Sequence, residues 1–179
     1  MIYLARHGET DYNAEGRFQG QGDVPLNARG REQAHELAAA AEGHGLRALW
    51  CSPLPRALQT ARIVGERLGL DPRPDPRFME TGTGRWTDRL QDDVAREEPD
   101  AWAAYNATDP EFRFPGGESL AEQMERVVDG LVAVTHEAPL PALVVCHRGV
   151  VRVARAHTHR RGLETFMSWD VANGALLAL

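Results

Sequence analysis

A short apolar run, Ile2-Tyr3-Leu4-Ala5, stops abruptly at Arg6-His7-Gly8. Four apolar residues bounded by charge and glycine read as a buried strand whose carboxyl end carries chemistry. The glycine lets the chain turn away. Near the other terminus the same figure returns: Leu143-Val144-Val145-Cys146 runs into His147-Arg148-Gly149. Two buried strands that each end in histidine and then glycine restrict the fold sharply. They predict an open α/β sheet with its site beyond the carboxyl ends of the strands.

The intervening sequence fits that architecture. Asn27 is placed to cap a helix reaching about Ala41, with Ala34, Leu37, Ala38 and Ala41 on one face. Leu46 to Trp50 reads as a strand, and Pro53 or Pro55 opens a helix to about Leu68. Asp71 to Pro76, with three prolines, reads as a connector. Ser119-Leu-Ala-Glu122 is a capping box that opens a helix to about His136. After Leu143–Cys146 come a helix over Val150–His157 and a strand over Ala175–Leu179. The alternation predicts a three-layer α/β sandwich: a mostly parallel central sheet with helices on both faces. Residues 1–179 are expected to form a single domain. Within it 78–117 make a small, irregular, aromatic cap with Trp86, Trp102, Tyr105, Phe112 and Phe114.

Composition prunes the chemistry. All 20 basic residues are arginine. A lysine-free chain has no phosphate-binding loop of the Walker type and no Schiff-base lysine. Anions must be held by arginine, histidine and backbone amides. The net charge of −6 argues against nucleic acid or a membrane surface as partner. Two cysteines, Cys51 and Cys146, suit a reducing compartment, so a cytoplasmic location is expected. No run of 18 apolar residues and no leader-like N-terminal segment is seen. Ser52-Pro-Leu-Pro-Arg56 puts an arginine in the first turn of a helix that follows a strand, where amides and partial positive charge already favour anions.

Taken together, these residues resemble the histidine phosphatase superfamily, which includes the cofactor-dependent phosphoglycerate mutases. The resemblance is carried by Leu4-Ala-Arg6-His7-Gly8-Glu9-Thr10, Asn13, Arg17-Phe-Gln-Gly20, Gly30-Arg-Glu-Gln33, Ser52 to Ala61, Glu80 with Gly84 and Trp86, Pro115-Gly-Gly-Glu-Ser119, and His147 with Arg152. It implies that His7 is a nucleophile forming a phosphohistidine, with Arg6, Arg56 and His147 around the phosphoryl oxygens. Asn13 and the amide after His147 would add hydrogen bonds. Glu80 would protonate the leaving oxygen and later take a proton from water. No metal or organic cofactor is implied. The expected substrate is a small phosphomonoester; its identity and the oligomeric state stay open.

The sequence departs from the family at His147-Arg148-Gly149, where His-Gly is usual. Arg148 is therefore a candidate phosphate or substrate contact. Alternatives remain at this level. A cofactor-dependent mutase is the nearest, although the span from Glu80 to Pro115 is short and acidic and offers little cover against water. A non-catalytic phosphate-binding module would keep the fold without turnover. Cys146-His-Arg-Gly-Val-Val-Arg152 also fits the phosphate loop of cysteine-dependent phosphatases, with Cys146 as nucleophile. His157-Thr-His159 is a weak metal candidate, read here as solvated histidines. Arg85, Arg89 and Arg113 are candidates for recognising a second anionic group on the substrate.

Overall fold

Alternating apolar residues in three strands divide the core in two. In the computed structural model, which describes residues 1–109 and 111–179, β1 (Ile2–Arg6), β2 (Ala48–Cys51) and β4 (Ala142–Cys146) lie side by side. Successive side chains of a strand point to opposite faces. Ile2, Leu4, Trp50, Ala142, Val144 and Cys146 accordingly enter one apolar cluster. Ala5, Leu49, Cys51, Leu143 and Val145 enter the other. The second cluster is closed by α2 (Ala28–Ala41) and α3 (Pro55–Leu68) through Leu37, Ala38, Ala57, Ala61 and Val64. The first is closed by α6 (Leu120–Glu137) and α7 (Arg148–Thr158) through Val127, Leu131, Val134, Val150 and Val151. This is the three-layer α/β sandwich that the sequence predicts.

With β3 (Pro72–Pro74) at one edge and β5 (Leu176–Ala178) at the other, the sheet order is β3-β2-β4-β1-β5. Every pairing is parallel except that of β1 with β5 (Leu176–Ala178). Arg6 is level with Cys146 in the register, so His7 and His147 leave adjacent strands at the same height. The His7 amide donates to the Cys146 carbonyl at 3.0 Å and locks the two strand ends together. Gly8 follows because a side chain would not fit. A Cβ there would lie 2.1 Å from the Gly30 carbonyl oxygen, at the start of α2.

Several boundaries differ from the sequence expectation. The proline-rich connector contains β3 (Pro72–Pro74), paired in parallel with β2. Proline is tolerated there because an edge strand uses only one side of its backbone for pairing. The second strand starts at Ala48 rather than Leu46. The helix expected from Val150 begins at Arg148, because His147 is extended (φ −124°) and serves as its N-cap. A short α1 (Asp11–Glu15), not anticipated, is opened by a capping box between Thr10 and Asn13. The 78–117 region is less irregular than expected, with α4 (Gln91–Glu97) and α5 (Pro99–Asn106). Its aromatics pack on one another and on Phe18, with Trp86 as the hub. Among the described residues no helix is long and apolar enough to cross a membrane.

Candidate active site

The strand ends open into a cleft of about 260 Å³. Arg6, His7, Asn13, Arg56, Glu80 and Arg148 all line it, so six of the seven residues singled out from sequence converge. The seventh, His147, does not form its wall. It lies behind His7, fully buried, with the two rings edge to face at 5.1 Å.

His7 is held in one orientation and one tautomer. Its Nδ1 lies 2.6 Å from the Gly8 carbonyl oxygen, which can only accept, so Nδ1 carries the proton. Nε2 is left with a lone pair. Burial, reinforced by Arg56 and Arg6, holds the imidazole well below its ordinary pKa. The ring is therefore neutral and nucleophilic near neutrality.

His147 is neutral for the same reasons, burial first and then Arg56. Its Nε2 is 2.8 Å from Ser52 Oγ. That hydroxyl already accepts from the Leu54 amide, so its proton is free for Nε2. Nδ1 has no partner among the described residues.

The two arginines are fixed by carbonyls rather than carboxylates. Arg56 is fully buried and donates from Nη1 to the Gly22 carbonyl and from Nη2 to the Gly20 carbonyl, at 2.9 and 2.8 Å. Arg6 donates from Nη1 to the Val171 carbonyl at 2.6 Å. The Nε atoms of both are buried without a partner among the described residues. Burial pushes each guanidinium down to about 10, and Arg148 adds to the effect at Arg6. Two buried cations with no carboxylate in ion-pair contact among the described residues are costly unless something anionic joins them.

Asn13 is oriented by two donors. Its Oδ1 receives the Thr10 amide at 3.1 Å and Asn173 Nδ2 at 3.2 Å, which leaves Nδ2 for a ligand. Glu80 is gripped on both oxygens. Oε1 accepts from the Thr81 amide at 2.9 Å and from Gln123 Nε2 at 3.2 Å; Oε2 accepts from the Gly149 amide at 3.2 Å. Arg126 clamps the loop below it, donating to the carbonyls of Met79 and Glu80 at 2.7 and 2.9 Å. The Arg148 amide, first in α7, has no helical carbonyl to bond and is available to an anion.

Residues 2–179 match the pattern of the histidine phosphatase superfamily, branch 1. The chain belongs to that superfamily. It is 42% identical over 129 residues to a probable phosphoglycerate mutase GpmB of an Enterobacter species, covering 71% of this chain and 59% of the relative. The GpmB of Cronobacter sakazakii is 40% identical over 135 residues, covering 74% and 62%. The matched region thus spans about three fifths of these curated relatives. Among solved structures it resembles a mycobacterial glucosyl-3-phosphoglycerate phosphatase complexed with VO3 (TM-score 0.88, 29% identity, 98% of this chain and 90% of that one). It also resembles a putative alpha-ribazole-5'-P phosphatase of Escherichia coli (TM-score 0.86, 29% identity, 98% and 87%).

Several of the residues weighed from the sequence stand outside the cleft. Cys146 is wholly buried in the apolar core beneath the sheet, and burial drives its thiol pKa up. Arg89 and Arg113 do not line the cleft; they pair with Glu97 and Glu98, and with Glu122. Arg85 does not line it either. His159 lies flat against Trp169 at 5.4 Å, and no group of three metal-ligating side chains gathers among the described residues. Other cleft residues were missed as site residues: Arg152, Phe166 and Asn173. For Arg152 a signal existed, because it lies four residues after Arg148 and so shares its helix face.

Proposed function

We propose that the protein is a phosphomonoester hydrolase that works through a phosphohistidine on His7. The observation that carries this reading is a set of three buried, unpartnered nitrogens (Arg6 Nε, Arg56 Nε and His147 Nδ1) on side chains around a neutral imidazole. A buried polar group without a partner costs about 1–3 kcal/mol, and a tetrahedral oxyanion in the cleft would satisfy the two guanidinium nitrogens. His7 Nε2 attacks phosphorus while Glu80 gives its proton to the departing oxygen. Arg6, Arg56, His147, Asn13 and the Arg148 amide hold the non-bridging oxygens, where charge spreads in the transition state. Water then attacks the phosphohistidine, Glu80 takes the water's proton, and phosphate leaves with His7 restored.

Mutase chemistry is the second reading, favoured by the names of the GpmB relatives. It requires the phosphohistidine to outlast exposure to water until a second acceptor arrives. A cover as short as residues 78–117 favours hydrolysis. The test is turnover of a phosphomonoester panel with chelator present, together with an alkaline detergent quench of the enzyme, part of which is then acidified. An acid-labile, base-stable phosphoenzyme that disappears in His7→Ala is expected. Its persistence in that variant would overturn the assignment. Transfer to added alcohol acceptors in preference to water would favour the mutase.

A further inference from the structure

Resting on the phosphomonoester reading above, we infer that Gln123 is a positioning residue. Together with the Thr81 amide it fills both lone pairs of Glu80 Oε1, so that the proton exchanged in each half-reaction is carried by Oε2. Glu80 needs such support. It stands in irregular chain between two single helical turns, Pro76–Phe78 and Gly84–Trp86, and no strand or helix fixes its side chain. Gln123 comes from a regular element. The buried face of α6 consists of Leu120, Gln123, Val127, Gly130, Leu131 and Val134. A wholly buried glutamine in an apolar stripe is costly unless both ends of its amide are hydrogen-bonded.

Both ends are bonded, and the partners set the direction of the amide. The Thr81 hydroxyl has one proton, and Gln123 Oε1 lies nearer to it, at 2.7 Å, than Glu80 Oε1, at 3.4 Å. With its oxygen held by Thr81, Gln123 turns Nε2 to Glu80 Oε1 at 3.2 Å. Against an ionised Glu80, the reverse orientation would set two acceptor oxygens face to face. The Thr81 amide donates to the same Oε1 at 2.9 Å. The first turn of α7 closes the remaining side, since a Cβ on Gly149 would lie 2.3 Å from Oε1 and 2.9 Å from Gln123 Nε2. α6 thus holds Glu80 twice: Arg126 fixes its backbone carbonyl, and Gln123 fixes its carboxylate.

The two carboxylate oxygens are therefore unequal. Oε1 has two N–H donors on two lone pairs and no place for a proton. Oε2 accepts from the Gly149 amide at 3.2 Å and keeps one lone pair. In the first half-reaction His7 Nε2 bonds to phosphorus, the bond to the leaving oxygen breaks, and the Oε2 proton passes to that oxygen. In the second, water oxygen bonds to phosphorus, the bond to Nε2 breaks, and a water proton returns to Oε2. The donors on Oε1 keep their places in both the acid and the base form, so the group changes role without rearranging.

The experiment measures single-turnover phosphorylation of the enzyme by an alkyl phosphate and by p-nitrophenyl phosphate, whose leaving group needs little protonation. Gln123→Leu removes the amide. Gln123→Glu keeps its volume and the acceptor for Thr81, and loses only the donor. Both variants should phosphorylate about ten- to a hundredfold more slowly from the alkyl phosphate and lose far less with the aryl one. Vanadate affinity should stay near that of wild type, and circular dichroism checks folding. In a Glu80→Gln background, Gln123→Leu should add no further loss, because the two residues act as one unit. Equal losses on both substrates, or weakened vanadate binding, would make Gln123 a packing residue and overturn the inference. Wild-type behaviour of Gln123→Glu would do the same, and so would losses that add in the double variant. If Glu80→Gln shows the leaving-group effect and the Gln123 variants do not, only this inference falls. If Glu80→Gln itself shows none, or the wild type forms no phosphohistidine, the mechanism proposed above falls with it.

Discussion

Gly149→Ala tests whether the position of Glu80, rather than its mere presence, governs turnover. A Cβ on residue 149 would lie 2.3 Å from Glu80 Oε1, 2.9 Å from Gln123 Nε2 and 3.0 Å from Thr81 Oγ1. Ordinary contact begins near 3.4 Å, so the carboxylate must retreat by about 1 Å. Its hydrogen bond to the Gly149 amide is strained in the same movement. A displacement of that size in a proton donor costs on the order of 10²-fold in rate. Overpacking should lower stability by about 1–3 kcal/mol, which leaves a folded protein to assay. The loss should depend on the leaving group. Alkyl phosphates need the proton, whereas p-nitrophenyl phosphate departs without much help, so its phosphorylation step should be nearly unaffected. Rapid-quench measurement of phosphoenzyme formation with both substrates reads this directly. Equal losses on the two substrates would mean that the new methyl group blocks the phosphoryl site instead. No loss on either would mean that the Glu80 position does not limit the chemistry.

Glu80→Gln removes the proton without the bulk, and should slow alkyl phosphates by roughly 10²–10⁴. With an aryl phosphate it should give a burst and then accumulate phosphohistidine; an absent burst in quench-flow would count against Glu80 as the acid. Cys146→Ser should keep turnover within a few-fold of wild type in steady-state assays, and a folded but inactive variant would restore the thiol as nucleophile. Stability should depend on the buried histidines. Both are held below the ordinary value of 6.5, so as pH falls through it the unfolded chain takes up protons that the folded one refuses. Their contribution is complete above that value and is lost progressively as pH falls below it. Thermal melts should therefore show a slope that is shallower in His147→Asn and is reduced by vanadate. An identical slope in the variant would refute the assignment of neutral rings.

Much of the site could be read from local patterns. Apolar runs ending in Arg6-His7-Gly8 and His147-Arg148-Gly149 say where two strands stop, and strand ends of a parallel sheet share one edge. The caps at Asn27 and Ser119 depend on side chains three residues apart, and they hold as expected. Asn13 was legible through its motif, but the direction of its amide was not, because that depends on Asn173, 160 positions away. Arg6 is fixed by a carbonyl at Val171, 165 positions away. Arg89 and Arg113 looked as available as Arg148 and Arg152. Tertiary packing gave the first two to glutamates and left the α7 pair facing the cleft. Sequence determined which charged groups stand at the strand ends, since hydrophobic period and turn residues act over a few positions. Which of those groups are already partnered, and which remain open to a ligand, was decided by contacts between segments far apart in the chain, because a hydrogen bond depends on distance in space and not along the sequence.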